Sequence, residues 1–173
     1  MLENIRIVLV NTSHPGNIGA AARAMMNMGL SRLYLVNPQR FPHADATARA
    51  SGATGILKNA VICETPEEAV ADCQLVFAAS ARSRSLPWPM STPRECAADS
   101  VAPNAGEVAL MFGNERSGLT NDELALAHRH VCIPTVSNFS SLNLAQAVQV
   151  LVYEVFMASQ AGIVQDEPAE EVR

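Results

Sequence analysis

Short apolar runs recur along this chain, and each is followed by a polar turn and then a segment with helical spacing. Ile5-Arg6-Ile7-Val8-Leu9-Val10, Leu33-Tyr34-Leu35-Val36, Leu75-Val76-Phe77-Ala78 and Val108-Ala109-Leu110-Met111-Phe112 are nearly continuous apolar strings. Such runs mark strands buried on both faces, as in a parallel sheet. Val131-Cys132-Ile133 is a shorter one. Between them, Ile18 to Met28 has the composition of an Ala- and Met-rich helix, with Gly29 as its stop. Thr65-Pro66-Glu67-Glu68, Thr92-Pro93-Arg94-Glu95 and Thr120-Asn121-Asp122-Glu123 each set a hydroxyl three residues before a Glu, the spacing of a capping box. A long helix is expected from about Leu142 to Gln160, with Gly162 just past it. This rhythm predicts the α/β class: a mostly parallel sheet with helices on both faces.

The chain is 173 residues long and 49% apolar, so residues 1–162 read as one domain with an ordinary core. Residues 163–173 are acidic and contain Pro168, and read as a flexible tail or linker. No stretch is apolar and long enough to cross a membrane, and the N-terminus lacks a signal-peptide layout. Cys63, Cys73, Cys96 and Cys132 are scattered without a CxxC pair, which suits reduced thiols in a cytoplasmic protein. The net charge of −5 weighs against tight binding of nucleic acid by charge alone. Asp166, Glu167, Glu170 and Glu171 carry most of that excess, and the remainder is close to neutral, which leaves room for a local basic patch.

Three strand-to-helix loops sit where α/β sheets bind ligands. The first is Asn11-Thr12-Ser13-His14-Pro15-Gly16-Asn17-Ile18-Gly19, followed by Arg23. Its glycines allow close backbone approach, and the helix N-terminus behind them offers donors to a phosphate. A plain glycine-containing turn would look the same. The second loop, Ala79 to Pro89, sets Arg82 and Arg84 beside Trp88, a combination suited to RNA phosphates and stacked bases. Solvated arginines beside a core-edge tryptophan are the plainer alternative. The third, Phe112-Gly113-Asn114-Glu115-Arg116-Ser117-Gly118-Leu119, frames an acidic residue with two glycines and could face a cationic ligand. A fourth stretch runs from Ile133-Pro134 to Ser141-Leu142-Asn143-Leu144 and opens an Ala-rich helix suited to close packing.

Other chemistries have less support. His128, His130 and Cys132 alternate, but no fourth ligand has local spacing, and no metal is expected. There is no G-x-S-x-G elbow for a hydrolase. The G-x-G-x-x-G spacing of a dinucleotide site is missing.

Taken in order, Asn17-Ile18-Gly19 with Arg23, then Phe112 to Leu119, then Ile133-Pro134 and Ser141-Leu142-Asn143-Leu144 with Ala147, Tyr153 and Glu154 resemble the three-motif pattern of the SPOUT superfamily. The resemblance is to its TrmH-like branch of RNA 2′-O-ribose methyltransferases, and it runs from about Leu2 to Ala158. The strings Thr12 to Asn17, Ser80 to Arg84 and Leu86 to Met90 resemble tRNA-modifying members in particular. The resemblance implies a deep C-terminal trefoil knot, an exception to the rule against knotted chains. It also implies S-adenosylmethionine as cofactor, a homodimer, and as substrate the ribose 2′-hydroxyl of the first anticodon-loop nucleotide of tRNA, a cytidine or uridine with other nucleotides as the wider reading. In that family a helical domain follows the catalytic one, and none is expected within these 173 residues.

On that resemblance the cofactor is expected at Ala79, Ser80, Ala81, Gly113, Asn114, Ile133, Pro134, Ser141, Leu142 and Asn143. RNA is expected at Asn17, Arg23, Arg82, Arg84 and Glu115. Arg23, Ser141 and Asn143 are the expected catalytic residues. A ribosomal RNA methyltransferase and a non-catalytic RNA- or cofactor-binding module are the alternatives. The combination of Arg23, Glu115 and Asn143 speaks against the second.

Overall fold

The computed structural model describes residues 2–80 and 89–166. The order of elements is β1 (Ile5–Val10), α1 (Pro15–Asn27), β2 (Arg32–Val36), α2 (Ala44–Ala50), a 3₁₀ turn (Ser51–Ala53), α3 (Thr54–Lys58), β3 (Val61–Cys63) and α4 (Pro66–Val70). There follow β4 (Leu75–Ala79), β5 (Met90–Ser91), α5 (Pro93–Val101), β6 (Val108–Phe112), α6 (Asn121–Leu124), β7 (Arg129–Val131) and α7 (Leu144–Asp166).

The strands form one parallel sheet in the order β3-β2-β1-β6-β4-β7-β5. Its centre is apolar for the reason anticipated: every residue of β1 and β6 is buried. Alternate residues of β1 serve opposite faces. Ile5, Ile7 and Leu9 meet α1, α2, α3, α5 and α7 on one side. Val8 and Val10 meet the smaller cover of α4 and the α6 region on the other. β7 lies between β4 and β5, both of which precede it in the chain.

Local chemistry sets the element ends. Thr92 and Thr120 cap α5 and α6 with complete capping boxes. At α4 the Thr65 hydroxyl accepts from Glu68 N–H, but the Glu68 carboxylate reaches back to Glu64 rather than to Thr65. α1 begins at Pro15, three residues before the expected start, because proline's fixed φ suits a first helical position. α7 begins at Leu144 rather than Leu142, since Asn143 accepts from Ala145 and Gln146 N–H and so caps it. It continues through Gly162 to Asp166; a glycine inside a helix costs only about 1 kcal/mol. β7 is paired two residues earlier than its apolar run suggested, with Phe77 opposite Arg129.

One buried charge escaped the sequence reading. Arg6 on β1 is 1% exposed, beneath Tyr34, with its guanidinium 4.4 Å from the ring centre. It donates to both oxygens of Asp72 and to the Ala69 carbonyl, which closes the C-terminal end of α4 onto the sheet. The cysteines are free, and burial pushes the Cys96 thiol up to about 12, leaving it a packing group.

Candidate active site

The loops that follow β1, β4, β6 and β7 leave the sheet at its carboxyl edge. There Asn114, the residue after Gly113, ties two loops together. Its Nδ2 donates to the Asn11 carbonyl at 2.7 Å, and its Oδ1 accepts from Arg116 N–H at 2.9 Å and from Ser117. Gly118 has φ of +67°, and a Cβ on Gly113 would lie 2.3 Å from the Gly118 carbonyl carbon and the Leu119 nitrogen. Two glycines are therefore required for this loop to double back on itself.

A cavity of about 500 Å³ opens between these loops. Of the residues expected to hold a cofactor, Ala79, Ser80, Gly113, Asn114, Ile133, Ser141 and Leu142 line it. Pro134 and Asn143 do not, and Ala81 lies outside the described residues, as do Arg82 and Arg84. Sequence reasoning missed Ser117, Leu119, Leu124 and Ser140, which also line the cavity. Ser117 and Leu119 lie in the glycine-framed motif loop and Ser140 in the fourth stretch, whereas Leu124 lies in no motif. The volume suits a nucleoside-sized ligand, and apolar walls with a few placed hydroxyls are the usual make-up of such a site.

Glu115 has a different surrounding from the one expected. Its carboxylate accepts from Ser13 N–H at 2.9 Å, from His14 N–H at 2.8 Å and from Asn17 Nδ2 at 3.1 Å. Burial alone would raise its pKa, but these donors outweigh it and hold the carboxyl below the usual range. Glu115 is thus an anchor for the first loop, with its acceptors already engaged by the protein.

Asn143 donates from Nδ2 to Asn17 Oδ1 at 3.2 Å. The chain Glu115–Asn17–Asn143 therefore joins the three motif loops. It also forms a wall: Glu115 lines the first cavity, while Asn17 and Asn143 line a second, also of about 500 Å³, together with His14, Arg40 and Arg49. Arg23 is exposed on α1, on the stripe that also carries Gly16 and Ala20, and has no side-chain partner among the described residues. Arg23 lines neither of the two cavities.

Gly19 serves packing instead of a ligand. A Cβ there would lie 2.0 Å from the Ala46 carbonyl oxygen, so Gly19 is what lets α2 rest on α1. His128 and His130 are not part of a metal cluster; none is found among the described residues. His128 Nδ1 accepts instead from Val76 N–H at 2.9 Å.

A parallel α/β sheet with a nucleoside-sized cavity at its carboxyl edge, roofed by a glycine-framed loop, belongs to the α/β class that binds ligands at this edge. Residues 4–153 match the SpoU rRNA Methylase family, and the chain belongs to that family. It is 61% identical over 161 residues to the tRNA (cytidine/uridine/adenosine-2′-O-)-methyltransferase TrmJ of Pseudomonas aeruginosa, covering 91% of this chain and 62% of that protein. It is 57% identical to the tRNA (cytidine/uridine-2′-O-)-methyltransferase TrmJ of Klebsiella pneumoniae, covering 99% of this chain and 70% of the relative. A probable methylase family protein from Haemophilus influenzae has a solved structure with a TM-score of 0.91 and 50% identity, over 97% of this chain and 72% of that one. The chain thus spans roughly two thirds of the length of such relatives.

Proposed function

We propose that this chain is the catalytic unit of an S-adenosylmethionine-dependent tRNA 2′-O-ribose methyltransferase. Its target is the first nucleotide of the anticodon loop. The observation that carries this reading is the pair of cavities separated by the Asn17–Asn143–Glu115 wall. One is of nucleoside size and the other is bordered by arginines, as transfer between a small donor and an RNA requires. The names of the 57–61% identical relatives support tRNA as the substrate. The four free cysteines suit a cytoplasmic setting. Among the described residues no helix is long and apolar enough to cross a membrane.

The first cavity fits the cofactor: Gly113 and Ser80 let main chain approach it, Leu119 and Leu142 supply apolar walls, and Ser141 a hydroxyl. S-adenosylmethionine, when bound, supplies an electrophilic methyl group on a sulfonium. The protein's part is alignment and exclusion of water. Asn143 and Ser141 orient the ribose hydroxyl at the wall. Arg23 orients the same hydroxyl. A guanidinium is a poor base at neutral pH, so Arg23 positions the hydroxyl, whose proton is lost late in the transfer or to water at the edge of the site.

The entry of β7 between β4 and β5 supports a trefoil knot in the C-terminal half. The exposed Tyr153 and Met157 on α7, with Met26 on the adjoining α1, offer an apolar surface for a second copy in a homodimer.

The test is transfer of labelled methyl from S-adenosylmethionine to tRNA, with ribosomal RNA fragments in parallel because the family description names rRNA. Methylation of the first anticodon-loop ribose, lowered about a hundredfold in kcat by Arg23→Ala, is expected. Preferred methylation of the ribosomal fragments would make rRNA the substrate. Full activity of Arg23→Ala would remove Arg23 from the mechanism.

A further inference from the structure

The described arginines fall into two groups. Arg6 lies 2.7 Å from Asp72, Arg32 2.6 Å from Glu107, Arg94 3.6 Å from Glu154 and Arg129 2.6 Å from Asp99. Arg23, Arg40, Arg49 and Arg116 have no carboxylate partner among the described residues. In a chain with 17 acidic residues to 12 basic ones, a guanidinium left without a counter-ion is notable, and two of these four border one cavity.

That cavity is the second one, behind the Asn17–Asn143 wall. Arg49 reaches it from α2 and lies along the first turn of α1: a Cβ on Gly16 would sit 3.6 Å from its Cγ and 3.9 Å from its Cζ. Arg40 reaches it from the loop after β2, which is tied to the first loop by the hydrogen bond from Gln39 N–H to the Thr12 carbonyl. The first turn of α1 has no side-chain cap and no acidic residue, so its backbone donors add to the positive end. Asp45 also borders the cavity, 3.7 Å from His43 Nδ1, and is outnumbered there by the two arginines.

We propose that Arg40 and Arg49 form the seat for the phosphodiester next to the methylated ribose. The inference rests on the reading of the chain as a ribose methyltransferase and names how it holds its substrate. A 2′-hydroxyl sits beside the 3′-phosphate of its own nucleotide. A nucleotide whose hydroxyl meets the wall at Asn17 and Asn143 therefore places that phosphate on the far side, in the cavity the two arginines border. The planar guanidinium matches two phosphate oxygens, which fixes the register of the RNA as well as its affinity.

The test uses the 173-residue chain, a tRNA anticodon stem-loop as RNA probe, and inorganic phosphate as competitor. Arg40→Gln with Arg49→Gln is expected to raise the KM for the stem-loop about tenfold, with S-adenosylmethionine affinity unchanged. The slope of log affinity against log salt falls by about 0.7, as loss of the contact to one phosphate of a single-stranded loop requires. The Arg40→Lys, Arg49→Lys pair keeps most of the slope. Arg94→Gln, which removes an already paired charge, leaves it unaltered. An unchanged KM and slope in the glutamine pair, with active wild type, overturns the proposal alone. A wild-type chain that neither binds nor methylates RNA overturns the functional reading and the proposal with it. Competition by millimolar inorganic phosphate that is equal in wild type and glutamine pair assigns the cavity to no phosphate and also overturns it.

Discussion

The Asn143 amide donates to Asn17 Oδ1 at 3.2 Å, joining residues 126 positions apart. The same Asn143 caps α7 through its Oδ1, which accepts from Ala145 N–H at 2.9 Å. One side chain therefore starts the last helix and fixes the wall between the two cavities.

These two duties separate by substitution. Asn143→Ala removes the cap and is expected to cost about 1 kcal/mol of stability. Asn143→Asp keeps a capping acceptor but loses the donor to Asn17, so stability stays near wild type while methyl transfer falls at least tenfold. Thermal unfolding alongside initial rates reads both effects. An aspartate variant with wild-type activity would show that the Asn17 contact is dispensable.

Glu115 makes a pH-dependent contribution. Its carboxyl is held below the usual range, so the folded state binds its proton more weakly than the unfolded chain does. The resulting stability is present above the ordinary glutamate value of about 4.3 and is lost as pH falls through the folded value. Glu115→Gln, which keeps one acceptor and loses the charge, is expected to cost about 1.5 kcal/mol at pH 7. The difference in Tm between the two proteins should shrink as pH drops below about 4. A constant difference from pH 7 to pH 3 would mean that the charge is not what anchors the loop.

Gly19→Ala places a methyl group 2.0 Å from the Ala46 carbonyl oxygen, and backbone cannot yield as a side-chain tip can. Moving α2 off α1 is expected to cost at least about 2 kcal/mol. Denaturant unfolding measures the loss. Gly52→Ala, with nothing within 4 Å of the added Cβ, is the neutral comparison.

How much of this was legible in the sequence follows from what each residue has to do. β1, β2, β4 and β6 stood out because central parallel strands must be apolar on both faces, and α4, α5 and α6 because their caps are local. The span from Pro38 to Ala60 gave little signal. α2 is short and alanine-rich with polar residues between, capped by His43 rather than Ser or Thr, and β3 is an edge strand with Val61 and Ile62 exposed. β7 was displaced because its pairing includes Arg129 and His130, which interrupt the apolar run. Most of the lining of the first cavity comes from loops that the sequence motifs marked. The duties of Glu115, Gly19 and Asn143 were not, since each depends on a partner distant in sequence. Arg40 and Arg49 lie in no motif and meet the first loop only through the tertiary fold.

The most direct measurement is calorimetric titration of the chain with S-adenosylmethionine, with a nicotinamide dinucleotide as control, in wild type and Gly113→Ala. Binding of one S-adenosylmethionine per chain is expected, with none of the dinucleotide. The alanine variant should lose that binding, because its Cβ would fall 2.3 Å from the Leu119 nitrogen and force the roof of the cavity open. Binding of the dinucleotide instead, or S-adenosylmethionine affinity untouched in a folded Gly113→Ala protein, would contradict the assignment of this cavity.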